Sequence, residues 1–76
     1  MVKIILTHHL VSRAYERNID IAMIIQIAKN SRLVKINTDD TIGATGKDYA
    51  SRSITVVYIK RNNTIIIKTA YYENNL

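Results

Sequence analysis

The chain of 76 residues contains no cysteine, which excludes a disulfide framework and any thiolate chemistry. It therefore falls outside the class of small secreted proteins held together by disulfides, and we expect a cytoplasmic location. Long hydrophobic runs are also missing. The longest uninterrupted apolar stretch, Ile21 to Ile25, is far below the ~18 residues of a membrane-spanning helix, and the N-terminal stretch is too short for a signal peptide. We expect no membrane partner.

Acidic residues are few, since six Asp and Glu stand against 11 Lys and Arg, for a net charge of +5. A polyanion such as RNA is the first candidate partner for such a chain. Proline, tryptophan and phenylalanine are absent, whereas isoleucine is abundant. A genome rich in A and T is one explanation of that bias that needs no function, so the bias indicates no mechanism. The length predicts one domain, 1–76, near the size at which a single core is only marginally stable, which leaves an oligomer or a stabilising partner open.

Hydrophobic periodicity predicts a strand and two helices in the first half of the chain. The strand is Val2 to Leu6. Thr7 is the expected N-cap of a helix from His8 to Arg17, and Asn18 suits the left-handed conformation that ends it. Asp20 is the expected cap of a second helix, Ile21 to about Asn30, whose wide apolar arc predicts that it is mostly buried.

The second half of the chain is predicted to be mainly strands. Three short segments with β-branched residues, 32–37, 53–60 and 64–71, are the expected strands, and the last two are joined by a tight turn at Arg61-Asn62-Asn63. The segment 38–48 holds both glycines and is expected to be a long surface loop. Residues 72–76 are expected to form a frayed tail. The resulting order β-α-α-β-β-β predicts an α+β fold, with both helices on one face of a small, mostly antiparallel sheet.

The first helix carries the most informative pattern, because His9, Arg13 and Arg17 recur every four residues. At about 100° per residue they lie within one polar arc. An imidazole titrates near pH ~6.5, and guanidinium groups match phosphate oxygens. The arc is therefore a candidate site for binding a phosphate backbone and moving a proton. The competing interpretation is an ordinary solvated helix face.

The adjacent histidines project about 100° apart on a helix, so we expect only one of them to be accessible. The apolar stripe of this helix is expected to consist of Leu10, Val11, Ala14 and Tyr15. The expectation is that His9 is exposed on the cationic arc and that His8 packs near Tyr15 at the border of the apolar stripe. Neighbouring histidines with no cysteine or nearby carboxylates do not complete a tetrahedral shell, so no metal site is predicted. We expect no cofactor.

The sequence resembles a family of small uncharacterised domains similar to BrnT-type and, more distantly, RelE-type toxins. In that family a strand is followed by a helix bearing H-x3-R-x3-R, matched here by His9, Arg13 and Arg17, and then by a second helix. The closing hairpin often ends in Thr-x-Tyr, matched by Thr69-Ala70-Tyr71. The chain departs from the pattern at Asn18, where a glycine is usual. The resemblance implies an endoribonuclease-like fold and, in the toxins, metal-independent cleavage of RNA.

Cleaving RNA without a metal requires a base, a charge clamp and an acid. His9 is the best proton carrier, and Arg13 and Arg17 are the expected clamps. A second proton carrier is sought among Tyr71, Tyr58 and Lys68, although cross-strand packing is the commoner role of the two tyrosines.

The sequence thus leads to the hypothesis of a small RNA-directed ribonuclease of the toxin type. Its catalytic residues are His9, Arg13, Arg17 and Tyr71, and its RNA-binding residues are Arg13, Arg17, Arg52 and Lys68. RNA is the expected partner, and a neutralising protein partner stays open. The alternatives are a non-catalytic nucleic-acid-binding module and a protein-interaction module whose sheet is completed by another chain.

Overall fold

The computed structural model describes residues 2–30 and 33–73 and confirms the α+β class. Two helices cover one face of a five-stranded sheet. The elements are β1 (Lys3–Leu6), α1 (His8–Arg17), α2 (Ile21–Asn30), β2 (Leu33–Ile36), β3 (Ile42–Lys47), β4 (Ser53–Arg61) and β5 (Thr64–Tyr72). The strand order is β1-β5-β4-β3-β2; β1 runs parallel to β5, and the other neighbours are antiparallel. Both helices have ten residues, and neither described helix is long and apolar enough to cross a membrane.

The helix ends follow the local chemistry of the sequence. The Thr7 hydroxyl accepts a hydrogen bond from the Leu10 backbone N–H at 3.1 Å, which caps α1. Asn18 ends α1 in the left-handed conformation with φ of 58°. The Asp20 carboxylate accepts from the Ala22 N–H at 3.0 Å at the start of α2. The predicted caps and the bounds of both helices are confirmed.

The core lies between the helices and the sheet. On α2 the buried residues are Ile24, Ile27 and Ala28. The other isoleucines and Met23 are only partly buried, so this helix is less buried than its wide apolar arc predicts. On α1 only Leu10 and Ala14 are buried. Tyr15 is 79% exposed and Val11 is 46% exposed, so the predicted apolar stripe of α1 is too wide. Because α1 packs mainly on β5, next to the edge strand β1, only a narrow line of its surface faces the sheet.

The segment 38–48, predicted as a surface loop, contains strand β3. Both glycines lie inside this strand: Gly43 pairs with Val57, and Gly46 pairs with Ile54. A Cβ atom on Gly46 would lie 2.8 Å from Cγ1 of Ile27 on α2. The glycine is therefore required by the close approach of α2 to the sheet rather than by a turn. The loop prediction was wrong because glycine occurs both in turns and in strands that another element approaches closely.

The prediction that a frayed tail begins at residue 72 is also wrong. Tyr72 belongs to β5, and its hydroxyl donates to the Asn18 carbonyl at 3.2 Å. The Glu73 N–H donates to the Ser53 carbonyl at 2.9 Å, so this residue is held beside β4. Residues 74–76 lie outside the described part of the chain, as does Arg32, with which the second predicted strand begins.

A β-bulge interrupts the pairing of β5 with β4. Ile67 faces Tyr58 and Thr69 faces Val57, so two consecutive residues of β4 oppose three of β5. Lys68 is the extra residue. Bulges bend a strand and redirect side chains, and they are frequent beside functional sites. Beyond this bulge Ala70 again points into the core, whereas Thr69 and Tyr71 lie on the sheet face opposite the helices, called here the open face.

Candidate functional site

An open cleft of about 440 Å³ lies where the start of α1 meets β5 and the turn between β2 and β3. It brings His9 and Lys68 together from opposite ends of the chain. The residues that line it are Thr7, His9, Asp39, Thr41, Val57, Lys68 and Thr69. A histidine, a lysine, an aspartate and three threonines thus line one space, so the cleft is the principal candidate site.

Thr7 joins the two elements that supply the histidine and the lysine. Its Oγ1 donates to the Ile67 carbonyl at 3.0 Å and lies 3.3 Å from the Lys68 carbonyl. Its backbone N–H also donates to the Ile67 carbonyl, at 3.3 Å. The same hydroxyl accepts the capping bond from α1. One side chain therefore fastens the first turn of the helix, which carries His9, to the bulge, which carries Lys68.

Asp39 supplies the negative charge of the cleft. Its Oδ1 accepts from the Thr41 hydroxyl at 2.6 Å and from the Thr41 N–H at 3.2 Å. The hydrogen bond from the Thr41 side chain is the main cause that lowers the pKa of Asp39, and the positive charge of Lys68 adds to it. The sequence pattern did not single out Asp39. The spacing Asp-x-Thr is typical of a side-chain-stabilised turn and was the available signal.

The two histidines are both exposed, which corrects the expectation that only one of them is accessible. His9 lines the cleft, whereas His8 is not among the lining residues. The expectation that His8 is a packed residue at the border of the apolar stripe is therefore wrong, since His8 itself is exposed, as is Tyr15. Because α1 lies near the edge of the sheet, those of its residues that do not face β5 are exposed to solvent.

Arg13 does not enter the cleft. Its guanidinium Nη1 lies 3.0 Å from Oε2 of Glu16, one turn further along α1, and the two side chains are 42% and 57% exposed. An exposed pair of this kind contributes only ~0.2–0.5 kcal/mol to the helix. Arg13 therefore stays accessible to an anionic partner on the surface of α1.

Arg17 is anchored to the sheet. Its Nη1 donates to the carbonyl of Ala70 on β5 at 2.7 Å. The predicted arc of three free groups is therefore not present as such, because one of its cations braces the end of α1 against β5. This bond joins residues that are distant in sequence, so periodicity on α1 alone did not reveal it.

Tyr71 and Tyr58 occupy opposite faces of the sheet. Tyr58 lies in the core, 7% exposed, and this burial raises the pKa of its phenol. Its predicted packing role is confirmed. Tyr71 lies on the open face, 37% exposed, in a groove of about 170 Å³ beside the cleft. Val57 lines both spaces, so the groove and the cleft adjoin each other.

Arg52 lies away from the cleft. Its Nε donates to Oδ2 of Asp48 at 2.8 Å, and its guanidinium carbon stands 4.6 Å from the centre of the Tyr72 ring. Neither the cleft nor the groove has Arg52 in its lining. The structure thus brings together His9 and Lys68 of the predicted site residues, places Tyr71 next to them, and does not bring Arg52 to that place.

Within residues 2–30 and 33–73, no group of three or more His, Cys, Asp or Glu side chains is arranged to hold a metal ion. The comparison with protein families identifies one match. Residues 6–72 match the family described as a domain of unknown function, DUF4258. No curated protein and no solved structure matches the chain.

Proposed function

The chain belongs to the DUF4258 family, described as a domain of unknown function, and from its cleft we propose that it is a small RNA-directed endoribonuclease that needs no metal. The observation that carries the proposal is the meeting of His9 and Lys68 in one open cleft. A proton carrier beside a cation is the minimum that phosphodiester cleavage by a neighbouring hydroxyl requires.

The proposed reaction is an internal transfer within the RNA. His9 takes the proton of the ribose 2′-hydroxyl, whose oxygen attacks the adjacent phosphorus. The bond from phosphorus to the 5′-oxygen breaks, and a 2′,3′-cyclic phosphate forms. The Lys68 ammonium stabilises the charge on the phosphorus-bound oxygens and gives a proton to the departing 5′-oxygen. Exchange with water then restores both side chains, so no other reactant is consumed.

The other polar groups of the site have supporting roles in this proposal. Asp39 lines the same cleft as Lys68 and interacts with it electrostatically, so in this proposal its charge draws the ammonium towards the cleft. Arg13, exposed on the same helix, contacts the phosphate backbone outside the cleft. Arg17 is a positioning residue that acts through its bond to Ala70.

The proposed kinship with toxin-type ribonucleases has two supports. The H-x3-R-x3-R motif lies on α1, where its histidine lines the cleft, and Thr69 of the Thr-x-Tyr motif lines the same cleft. Tyr71, the last residue of that motif, lies in the adjoining groove. The histidine of the first motif and the two named residues of the second thus meet at one place on the surface, which the sequence alone did not require.

The test uses the adjacent histidines as a matched pair. Purified protein is incubated with mixed RNA in EDTA, alongside the variants His9→Ala and His8→Ala. Both histidines are exposed residues of the first turn of α1, so their loss should affect folding equally, but only His9 lines the cleft. We expect cleavage by the parent and by His8→Ala, with cyclic phosphate ends, and none by His9→Ala. Equal activity of the two variants, or cleavage that EDTA abolishes, would refute the proposal.

Two substitutions of Lys68 separate the effect of its positive charge from the effect of its transferable proton. Lys68→Arg keeps a permanent positive charge but holds its proton too tightly to transfer it, whereas Lys68→Met loses both. We expect Lys68→Arg to bind RNA as the parent does but to cleave it slowly, and Lys68→Met to be weaker in both. Full cleavage by Lys68→Met would remove the lysine from the reaction.

RNA binding should depend strongly on salt. Each phosphate contact releases counterions, so the logarithm of the affinity falls with the logarithm of salt by about 0.7 per contact on a single strand. The net charge of +5 and the exposure of Lys68 support this expectation. Binding measured by fluorescence anisotropy across a salt series gives the number of contacts. Binding that is independent of salt would contradict an RNA-directed function.

The observation that favours a second candidate function, a protein-interaction module, concerns β2. This edge strand leaves Ile36 74% exposed and Val34 49% exposed. An open edge with apolar side chains can pair with a strand of a second copy of the chain. Sedimentation velocity of the parent and of Ile36→Lys tests this candidate. A dimer that Ile36→Lys abolishes, in a protein that does not bind RNA, would support interaction as the function.

A further inference from the structure

The groove beside the cleft has a floor and two walls on the open face of the sheet. Gly43 on β3 has no side chain, and a Cβ atom built there would reach only ordinary contact distances, 3.8 Å from Cγ2 of Thr55. The floor is therefore open at this point. Tyr71 on β5 forms one wall and Lys35 on β2 the other. With strands about 4.8 Å apart, this groove crosses about 14 Å of sheet.

A chain of hydroxyl groups orients a carboxylate in this groove. Thr55 is 6% exposed, and its Oγ1 donates to Oε1 of Glu73 at 2.5 Å. The Oγ1 atoms of Thr45 and Thr55 lie 3.1 Å apart. A hydroxyl has a single proton, so Thr55, having given its own to Glu73, accepts from Thr45. The carboxylate is thus held on the open face, and each of its oxygens can accept further hydrogen bonds.

We propose that this groove is a nucleobase subsite that prefers guanine, with the base stacked on the Tyr71 ring and its donor edge facing the Glu73 carboxylate. A carboxylate only accepts hydrogen bonds. Guanine presents two adjacent donors, N1–H and the 2-amino group, on its pairing edge, whereas adenine and cytosine present one amino group and uracil one ring N–H. Aromatic rings bind bases by stacking, and unpaired bases are read on such edges.

The distance between the groove and the cleft matches the size of one nucleotide. Thr69 lines the cleft and Tyr71 lines the groove, two residues further along the same face of β5. Two residues of a strand span about 7 Å, comparable with the reach from the phosphate to the base within a nucleotide. A phosphate beside Lys68 therefore places the base of its own nucleotide against Tyr71.

This subsite rests on the proposed function only in taking RNA as the ligand, so it is tested by binding without cleavage. His9→Ala serves as the background protein, in EDTA. The probes are single-stranded RNAs of about eight nucleotides, oligo(U) with one central G, A, C or U, and the readout is fluorescence anisotropy. We expect the G-containing probe to bind on the order of tenfold more tightly than the others.

Three variants and one control in that background separate the parts of the subsite. Tyr71→Ala should weaken binding of all four probes by about tenfold, whereas Tyr49→Ala, which removes an 89% exposed tyrosine outside the groove, should leave it unchanged. Glu73→Gln keeps an acceptor for Thr55 but presents donors to the base, so the preference for G should disappear while the other probes bind as before. Gly43→Ala should weaken binding by filling the floor.

The outcomes distinguish this inference from the proposed function. A protein that cleaves RNA but binds the four probes equally, or whose Tyr71→Ala and Tyr49→Ala variants behave alike, overturns the subsite and leaves the ribonuclease proposal standing. A protein that does not cleave RNA but prefers the G probe, and loses that preference with Glu73→Gln, overturns the ribonuclease proposal and supports the subsite.

Discussion

Individual side chains in this protein have roles that their spacing does not reveal. Arg13 and Arg17 occupy equivalent positions of one repeat on α1, yet Arg13 pairs with a neighbour on its own helix and Arg17 with a backbone carbonyl on β5. The difference arises from their place along the helix. Only the C-terminal end of α1 brings a long side chain close to Ala70.

The two arginines should therefore differ in their effect on stability. A hydrogen bond from a charged group contributes ~1.5–3 kcal/mol, and because Arg17 is largely exposed we expect Arg17→Ala to reduce the free energy of unfolding by about 1–2 kcal/mol. Arg13→Ala should change it by no more than about 0.5 kcal/mol. Urea denaturation of both variants measures the difference. Similar midpoints would show that the bond to Ala70 contributes little.

Asp39 should make the turn after β2 sensitive to acid. Its folded pKa lies below the ordinary value of ~3.9, so the ionised form is favoured by folding. Its stabilising contribution is therefore present above about pH 4 and is lost as the pH falls below that, through the folded pKa. Denaturation followed between about pH 6 and pH 3 should show a smaller loss in Asp39→Asn than in the parent. The control Asp40→Asn should follow the parent; if it behaves like Asp39→Asn, the Thr41 bonds are not the cause.

Elements in this protein are joined at a few close contacts. Thr7 connects α1 to β5, and Gly46 admits α2 to the sheet. At each of these contacts, adding or removing a single atom would change the distance between the two elements. These contacts also set the geometry of the cleft, because His9 and Lys68 lie on the elements that Thr7 joins.

Removing the Thr7 hydroxyl should affect both stability and the cleft. Loss of a threonine N-cap typically costs ~1–2 kcal/mol, and here the bond to Ile67 is lost as well. We expect Thr7→Ala to unfold at lower urea concentration by that amount and to cleave RNA more slowly while still folded. Thr7→Ser, which restores the hydroxyl, should recover most of both. If Thr7→Ser behaves like Thr7→Ala, the methyl group rather than the hydroxyl holds the two elements.

The two glycines of β3 provide a paired test of the helix–sheet packing. Gly46→Ala forces Ile27 to shift, because the new Cβ would lie 2.8 Å from its Cγ1. Overpacking of this kind costs ~1–3 kcal/mol. Gly43→Ala has room and a compatible backbone, so it should be neutral or stabilise by up to about 1 kcal/mol. Thermal melts of the two variants decide the matter, and equal melting temperatures would show that α2 moves freely away from β3.

The whole molecule has a single helical layer over its sheet, so the depth of burial varies strongly between isoleucines. Ile67 on the interior strand β5 is fully buried, whereas Ile25 on α2 is only partly covered. A domain of this length has a total stability of only ~4–11 kcal/mol. The loss of one central side chain is therefore a large part of the total.

Ile67→Ala should be the more damaging core substitution. Truncation of a buried isoleucine costs ~2–5 kcal/mol, enough to leave a substantial unfolded fraction. Ile25→Ala removes a side chain that already contacts water, so we expect less than half of that cost. Denaturation monitored by circular dichroism compares the two. Equal losses would indicate that Ile25 is covered in solution, for example by a second chain.

The local sequence was sufficient for the helices, the hairpin and the fold class. Thr7, Asn18 and Asp20 mark helix ends because their side chains or backbones satisfy groups of the adjacent turn, and such interactions involve residues close in the chain. Asn62 takes the left-handed conformation at the hairpin for the same local reason. The His9 side chain could also be singled out, since polar periodicity on a helix is a local property.

The tertiary structure alone decided which residues surround His9. Lys68 reaches the cleft through a bulge, Arg17 is engaged by Ala70, and Tyr71 shares its groove with Glu73 and Thr55; each depends on strand register between segments far apart in the chain. The strand β3 was missed for the same reason, because Gly46 is explained by the position of Ile27 on another element. Periodicity indicates which face of a segment is buried but not which other segment covers that face. The covering segment is determined by packing across the whole sheet.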